Sequence, residues 1–204
     1  MLVSCIMPTR ARPAFAQQAL ECWRAQTYQP RELIAVDDFD APSFERGISE
    51  AGVIYELIRR RMTIGEKRNL ACSRANGELV VHWDDDDHSA PGRLFDQVTR
   101  PNQTGKPVTG YRTIRVTDGL NWWLYTGSPD YAVGTSLMYE RDWWLQHGFD
   151  ALQVGEDNSF VGVARGRGAI ASVDAGGMMY ARIHAGNTSV KEPDKNPMQW
   201  RLIA

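Results

Sequence analysis

Short apolar runs, each ended by a proline, a glycine or an aspartate, alternate with stretches whose apolar positions recur at helical spacing. Leu2 to Met7 reads as a buried strand stopped by Pro8. Pro13 opens a helix in which Phe15, Ala16, Ala19, Leu20 and Trp23 share one face. Glu32 to Val36 and Val53 to Ile58 read as the next two strands, the former stopping at Asp37-Asp38. Gly65 to Ala75 reads as a helix closed by Asn76-Gly77, and Glu78 to Trp83 as a fourth strand ending at Asp84. Pro91 opens another helix over Gly92 to Val98. This alternation predicts an α/β layer with a largely parallel sheet.

The second half is less regular. Strands are expected over Val108 to Arg115, Asn121 to Tyr125 and Thr135 to Tyr139, then helices over Arg141 to His147 and Asp157 to Ala164. Ala169 to Val173 and Met178 to Ile183 are expected to close the sheet. From Lys191 the chain carries Pro193, Asp194, Lys195, Asn196 and Pro197, and a loose arm is expected.

Composition narrows the picture without deciding it. The chain has 204 residues and a formal net charge of -2, from 23 basic and 25 acidic side chains. That suits one domain and lacks the basic excess of a nucleic-acid binder. No apolar run reaches the roughly 20 residues that span a bilayer. The first residues do not have the pattern of a signal peptide, since Leu2 to Met7 is short and runs into Pro8-Thr-Arg. Cys5, Cys22 and Cys72 fall inside apparent strands and helices, which suits free thiols in a reducing, cytoplasmic setting.

Charge is uneven, and the unevenness points to chemistry. Asp84-Asp85-Asp86-Asp87 follows an apolar strand directly. In open α/β sheets ligands gather at the carboxyl ends of strands. Adjacent carboxylates repel, and a divalent cation relieves that repulsion. Oxygen ligands suit Mg²⁺ or Mn²⁺, which also grip diphosphate oxygens. A solvated acidic turn is the alternative for such a run.

Several blocks then stand in order: Val3-Ser-Cys-Ile-Met-Pro-Thr-Arg; Gln26-Thr-Tyr-Gln-Pro-Arg-Glu-Leu-Ile-Ala-Val-Asp-Asp; Lys67-Arg-Asn-Leu-Ala-Cys-Ser-Arg-Ala-Asn-Gly-Glu; and Trp83-Asp-Asp-Asp-Asp. Together they resemble the family 2 glycosyltransferases from about residue 3 to about residue 189. The resemblance implies an α/β protein of the GT-A fold: a mixed, mainly parallel sheet flanked by helices, with a Rossmann-like N-terminal half. It implies a single domain over 1–189, with 1–100 as the nucleotide-binding half, 101–189 as the acceptor-binding half and 190–204 as a C-terminal tail.

Roles follow from the same resemblance. Pro8, Thr9 and Arg10 correspond to the loop that meets base and ribose, and Asp37 to the carboxylate that contacts the base. Arg68 corresponds to the arginine that approaches the nucleotide. Asp84 and Asp86 match the Asp-x-Asp motif, with Asp84 and Asp85 on the donor and Asp86 on the metal, Mn²⁺ or Mg²⁺. Gly155-Glu-Asp-Asn resembles the segment that supplies the general base, here Asp157 first and Glu156 second. A carboxylate is wanted because an acceptor hydroxyl must lose its proton as the glycosidic bond forms. Both acids would equally suit the first turn of a helix. His184, in His-Ala-Gly-Asn-Thr, resembles a late His-x-x-Asn-Thr segment that reaches the metal or the diphosphate; a structural histidine after a strand is the alternative. His82 has no assigned role, and His88 and His147 are expected to face solvent.

The aromatic residues Trp122, Trp123, Tyr125, Trp143 and Trp144 suit core packing, with some left for the acceptor side. Phe39-Asp40 stands where family members often have Gly-Ser, which alters the loop after the second strand. The expected activity is an inverting transfer from a nucleotide sugar, UDP-linked as first choice, to an acceptor hydroxyl on a glycan, lipid-linked glycan, protein or other molecule. A homo-oligomer is compatible with this. The alternatives are a nucleotide-sugar-binding subunit without turnover and a sugar nucleotidyltransferase. The latter is disfavoured because Pro8-Thr-Arg-Ala-Arg-Pro13 lacks the glycines of a phosphate loop.

Overall fold

The structure is a computed structural model, and it describes all residues except 39–41, 45–49, 190, 192 and 194–197, together with the side chains of 101 and 102. The expected departure at Phe39-Asp40 lies outside the described residues, as do Asp194 to Pro197. The first half runs β1 (Val3–Thr9), α1 (Pro13–Arg24), β2 (Arg31–Asp37), β3 (Val53–Leu57), α2 (Ile64–Arg74), β4 (Leu79–His82), β5 (His88–Ser89) and α3 (Arg93–Thr104). The second half runs β6 (Val108–Thr117), β7 (Trp122–Thr126), a 3-10 turn (Gly134–Ser136), β8 (Met138–Glu140), α4 (Arg141–His147), α5 (Glu156–Gly166), β9 (Ile170–Asp174), β10 (Met179–Arg182) and β11 (Trp200–Leu202).

The strands form one mixed sheet in the order β11-β7-β6-β8-β4-β1-β2-β3, with β9 and β10 also paired to β6. The β4-β1-β2-β3 portion is parallel, so these strands end on the same side. β8 joins it antiparallel to β4 and links it to β6.

Strand alternation sorts the core onto the two sheet faces. Val3, Cys5 and Met7 pack with Ala16, Leu20, Trp23 and Leu94, under α1 and α3. Ile6, Ile34 and Val80 pack with Ala71, Cys72, Phe160 and Ala164, under α2 and α5. The apolar stripe expected from Pro13 onward therefore buries Ala16, Ala19, Leu20 and Trp23, as helical spacing requires.

Helix α2 differs: its buried side chains include Lys67 and Arg68. It starts with a capping box, in which Thr63 Oγ1 accepts from the Glu66 N–H at 3.2 Å and Glu66 Oε2 accepts from the Thr63 N–H at 2.7 Å. Its first turn is pressed against the segment before α5. A Cβ on Gly65 would lie 1.8 Å from the Asp150 carbonyl oxygen, so only glycine fits. That contact fixes α5 relative to α2.

Three expectations change. The segment expected as a loose arm contributes β11, which pairs antiparallel with β7 through Trp200↔Tyr125 and Leu202↔Trp123. The strand expected over Thr135 to Tyr139 begins as a 3-10 turn and is extended only from Met138. His88 and His147 do not simply face solvent: each is half-buried, His88 stacked on Tyr180 at 4.6 Å and His147 on Trp143 at 3.9 Å.

Candidate functional site

β1, β2 and β4 end side by side, and a cavity of about 750 Å³ opens beyond their carboxyl ends. Pro8, Arg10, Arg68 and all of Asp84 to Asp87 line it, as do Glu156 and Asp157 across from them. Among the sequence-selected residues, Thr9 and Asp37 are buried behind this lining.

Each carboxylate of the acidic run is partnered, Asp85 and Asp86 sharing Arg12, which explains how four adjacent acids are tolerated. Asp84 Oδ1 accepts from Arg68 Nη2 at 3.1 Å. Asp85 pairs with Arg12 Nη2 at 2.7 Å and accepts from Thr9 Oγ1 at 2.7 Å. Asp86 Oδ2 meets Arg12 Nη1 at 2.8 Å, His184 Nε2 at 3.0 Å and Asn187 Nδ2 at 3.3 Å. Asp87 accepts from the Thr135 hydroxyl and, at 3.2 Å, from the Arg182 N–H. Thr9 thus serves the acidic run rather than lining the cavity.

Burial and pairing push these acids in different directions. Burial lifts Asp85 to about 7, with Arg12 opposing and Asp86 adding to the rise. Burial likewise lifts Asp87 to about 6, against the pull of Lys191. Burial raises Asp84 too, but the Arg68 guanidinium outweighs it and leaves Asp84 below the usual carboxylate range.

Arg68 is 4 % exposed and joins the two sides of the site: Nη2 holds Asp84, and Nε donates to Glu156 Oε1 at 3.2 Å. Burial works against its charge, but Asp84, Glu156 and Asp157 more than offset that and raise its pKa. Its Nη1 is buried without a hydrogen-bond partner among the described residues. The neighbouring Asn69 is structural, since it accepts from the Trp144 indole and the Phe149 N–H, each at 2.9 Å.

The two candidate bases differ sharply. Glu156 is buried and tied to Arg68, and burial raises its pKa against that ion pair. Asp157, half-buried at the start of α5, accepts one hydrogen bond, from the Asn158 N–H at 2.7 Å. Its carboxylate lies flat against Gly134, where an added Cβ would fall 1.7 Å from Oδ2.

Asp37 Oδ2 accepts from the Ser43 N–H at 2.6 Å and the Tyr55 hydroxyl at 2.9 Å, while Oδ1 is buried without a partner among the described residues. Asp38 is bound to Lys67 Nζ at 2.9 Å and to the Met62 N–H at 2.8 Å. Lys67 also donates to the Thr9 carbonyl at 3.0 Å, which holds the loop after β1. His82 turns to the face opposite Trp83, with Nδ1 2.7 Å from the Gly134 carbonyl oxygen.

Among the described residues, no three His, Cys, Asp or Glu side chains cluster as a ready metal cage. Asp86 and His184 do form a pair. Their 3.0 Å separation is that of neighbouring ligands around an octahedral ion with bonds of about 2.1 Å. An oxygen and an imidazole nitrogen suit such an ion, with which Arg12, paired to the same oxygen, would compete. The residues present therefore fit a divalent cation.

Sequence reasoning missed Arg12, Lys67, Thr135 and Asn187. Arg12 stood in the loop after β1, and its partner Asp86 lies 74 residues away, so no local pattern reveals the pairing. Of the five aromatic residues singled out, only Tyr125 lines the cavity; Trp123 is buried, and Trp143 and Trp144 pack against the core under α2 and α5.

Solved structures share this architecture. S. aureus TarS 1-349 in complex with UDP superposes with a TM-score of 0.75 at 19 % identity, over 90 % of this chain and 61 % of that one. The same TarS fragment in complex with UDP-GlcNAc gives 0.73 at 18 % identity, over 96 % and 63 %. The mannosyltransferase PcManGT from Pyrobaculum calidifontis, in complex with GDP-Man and Mn²⁺, gives 0.68 at 17 % identity, over 89 % and 56 %. The chain spans about three fifths of the length of these relatives, and the fold they share with it is GT-A. A comparison with curated protein sequences finds no match. The model of glycosyl transferase family 2 matches residues 4–173, which contain most of β1, the acidic run, Arg68 and the Glu156-Asp157 pair, and the chain belongs to that family.

Proposed function

We propose that this chain is a glycosyltransferase that passes a sugar from a nucleotide-sugar donor, UDP-linked as first choice, to an acceptor hydroxyl with inversion. The carrying observation is the division of labour across one cavity. Paired carboxylates and buried cations lie on one side, and Asp157, which unlike Glu156 has no ion pair among the described residues, lies on the other.

Asp86 and His184 would hold Mn²⁺ or Mg²⁺, with Asp84 and Asp85 beside them on the donor. Such ions are commonly held by one or two carboxylates plus substrate phosphates, and when bound they neutralise charge on a leaving diphosphate. Arg68, with a free Nη1 among the described residues, adds a fixed positive charge on the donor side. Pro8 and Arg10 line the cavity near the end of β1, where base and ribose are placed in this reading. Asp37, the base-contacting carboxylate in this reading, has its Oδ1 buried without a partner among the described residues and set behind the residues that line the cavity.

Asp157 takes the proton of the acceptor hydroxyl as its oxygen bonds to the anomeric carbon. The bond from that carbon to the diphosphate breaks, and its electron pair leaves with the nucleoside diphosphate. General-base help of this kind is worth about 10²- to 10⁴-fold. Glu156 positions Arg68 and leaves the proton transfer to its neighbour. Among the described residues no helix is long and apolar enough to cross a membrane, and the cysteines are free, which supports a cytoplasmic setting for this reaction.

The test is release of nucleoside diphosphate from a panel of UDP-, GDP- and dTDP-sugars, with Mn²⁺ or with chelator. Turnover of one donor in Mn²⁺, abolished by chelator and by Asp86→Ala, is the expected result. An Asp86→Ala protein as active as its parent overturns the proposal.

A further inference from the structure

Another part of the cavity lining is built differently from the acidic run. Trp200 on β11 stands opposite Tyr125 on β7, and Tyr125 stands opposite Ile114 on β6. One step along, Val116 pairs with Ala181 on β10. All five side chains line the cavity, so one face of the sheet forms a continuous apolar wall.

The exposed surface of that wall is aromatic. Tyr125 and Trp200 are half-buried and meet edge to face at 5.1 Å, while Ile114, Val116 and Ala181 are buried behind them. Tyr131 extends the row toward Asp157. A Cβ on Gly127 would fall 2.8 Å from the Tyr131 ring and 3.5 Å from the Tyr125 ring, so the glycine lets both rings lie close. The Tyr131 hydroxyl donates to Asn158 Oδ1 at 3.2 Å, one residue from the proposed base.

We propose that Tyr125, Tyr131 and Trp200 form the acceptor subsite, and that the acceptor is a carbohydrate whose ring lies on this aromatic wall with one hydroxyl at Asp157. This rests on the reading of Asp157 given above. The wall has the right chemistry for a sugar. A pyranose presents a face of C–H groups that packs on aromatic rings, and hydroxyls around its edge that need polar partners. Each ring here carries a polar edge, the phenol of the tyrosines and the indole N–H of Trp200. The cavity rim adds Gln153, Asn158 and Thr188. A hydrocarbon acceptor would cover those groups without satisfying them. Pockets that combine an apolar floor with a few placed polar groups fix a ligand's orientation as well as its binding.

Saturation-transfer NMR on the full chain with UDP and Mn²⁺ tests this. The probes are methyl glycosides of glucose, galactose, mannose and N-acetylglucosamine, and octyl glucoside as an apolar control. Ring C–H protons of at least one methyl glycoside should take up saturation. That signal should fall about tenfold in Tyr125→Ala and Trp200→Ala and survive in Tyr125→Phe, with the UDP-induced melting shift unchanged in all variants. Should the alanine variants melt in buffer, Trp200→Leu keeps apolar bulk in β11 without the ring and carries the test. Saturation confined to the octyl chain, or ring saturation that persists without both aromatic residues, overturns the subsite. A wild-type protein that binds a glycoside through these rings but ignores UDP keeps the subsite and refutes the donor reading.

Discussion

Arg12 sits on Asp86: its Nη1 lies 2.8 Å from Oδ2, the oxygen that His184 Nε2 approaches at 3.0 Å. A permanent cation thus occupies the approach to the oxygen proposed for a metal. Both partners are largely buried, with side-chain exposures of 24 % and 13 %, so the pair is screened less than a surface ion pair. Arg12→Ala should therefore tighten Mn²⁺ binding to the nucleotide-free protein. With the ion pair worth about 1 kcal/mol, the gain is about fivefold. Titration calorimetry with Mn²⁺ checks it, and unchanged or weaker binding in the variant would rule out competition between Arg12 and the ion.

Asp157 and Gly134 offer a separate handle on the chemistry. Asp157→Asn should lower kcat by about 10²- to 10⁴-fold while leaving donor binding intact, because only the proton acceptor is lost. Gly134→Ala should do similar harm by a different route, since its Cβ would sit 1.7 Å from Asp157 Oδ2 and must push the carboxylate aside. Glu156→Gln should behave otherwise, loosening Arg68 and weakening UDP binding. Steady-state kinetics alongside UDP melting shifts separate Glu156→Gln from the other two. Equal loss of kcat in Glu156→Gln with donor binding intact would assign the base to Glu156.

The contrast between what the residues announce and what they hide is physical. β1, β2, β3 and β4 fall within a residue or two of the apolar runs that predict them; Asp37 ends β2 and Gly77 stands before β4, whereas β1 runs through Pro8 to Thr9 instead of stopping there. β5 and β11 escape notice because strands of two and three residues are too short to show alternation, and both exist only through pairing with distant strands. The acidic run announces a site through its position after β4. Its pairing with Arg12 and Arg68 and its hydrogen bond from Thr135 need contacts between residues far apart in sequence, which no local pattern carries. The same limit left the order of Asp157 before Glu156 resting on resemblance alone; the ion pair between Arg68 and Glu156 joins residues 88 positions apart.

His82 gives a prediction in pH. It is fully buried between the Gly134 carbonyl and the ring of Tyr139, and burial, aided by Arg68, holds its pKa well below the ordinary 6.5. The unfolded chain therefore binds a proton below about pH 6.5 that the folded chain refuses. Stability contributed by the neutral imidazole is present above that pH and is lost as pH falls. The difference in unfolding free energy between the wild type and His82→Gln should narrow by about 1.4 kcal/mol per pH unit on going from about pH 6 to about pH 5. Urea melts across that window measure it; parallel curves for the two proteins would show that His82 protonates equally in both states.

The thiols offer a last test, of the packing that supports the site. Cys5 lies in β1 and Cys72 in α2, the two elements that carry the loop after Thr9 and the Lys67-Arg68 pair. Both are buried, and burial pushes each thiol up to about 12. A thiol reagent attacks the thiolate, so at about pH 8 neither should react while the sheet stays closed. Cys22 is half-buried on α1 and should react alone. Ellman titration should then give one thiol per native chain and all three in denaturant. Rapid labelling of Cys72 in the native protein would mean that α2 leaves the sheet readily, and that Arg68 is not held as firmly as the proposed donor side requires.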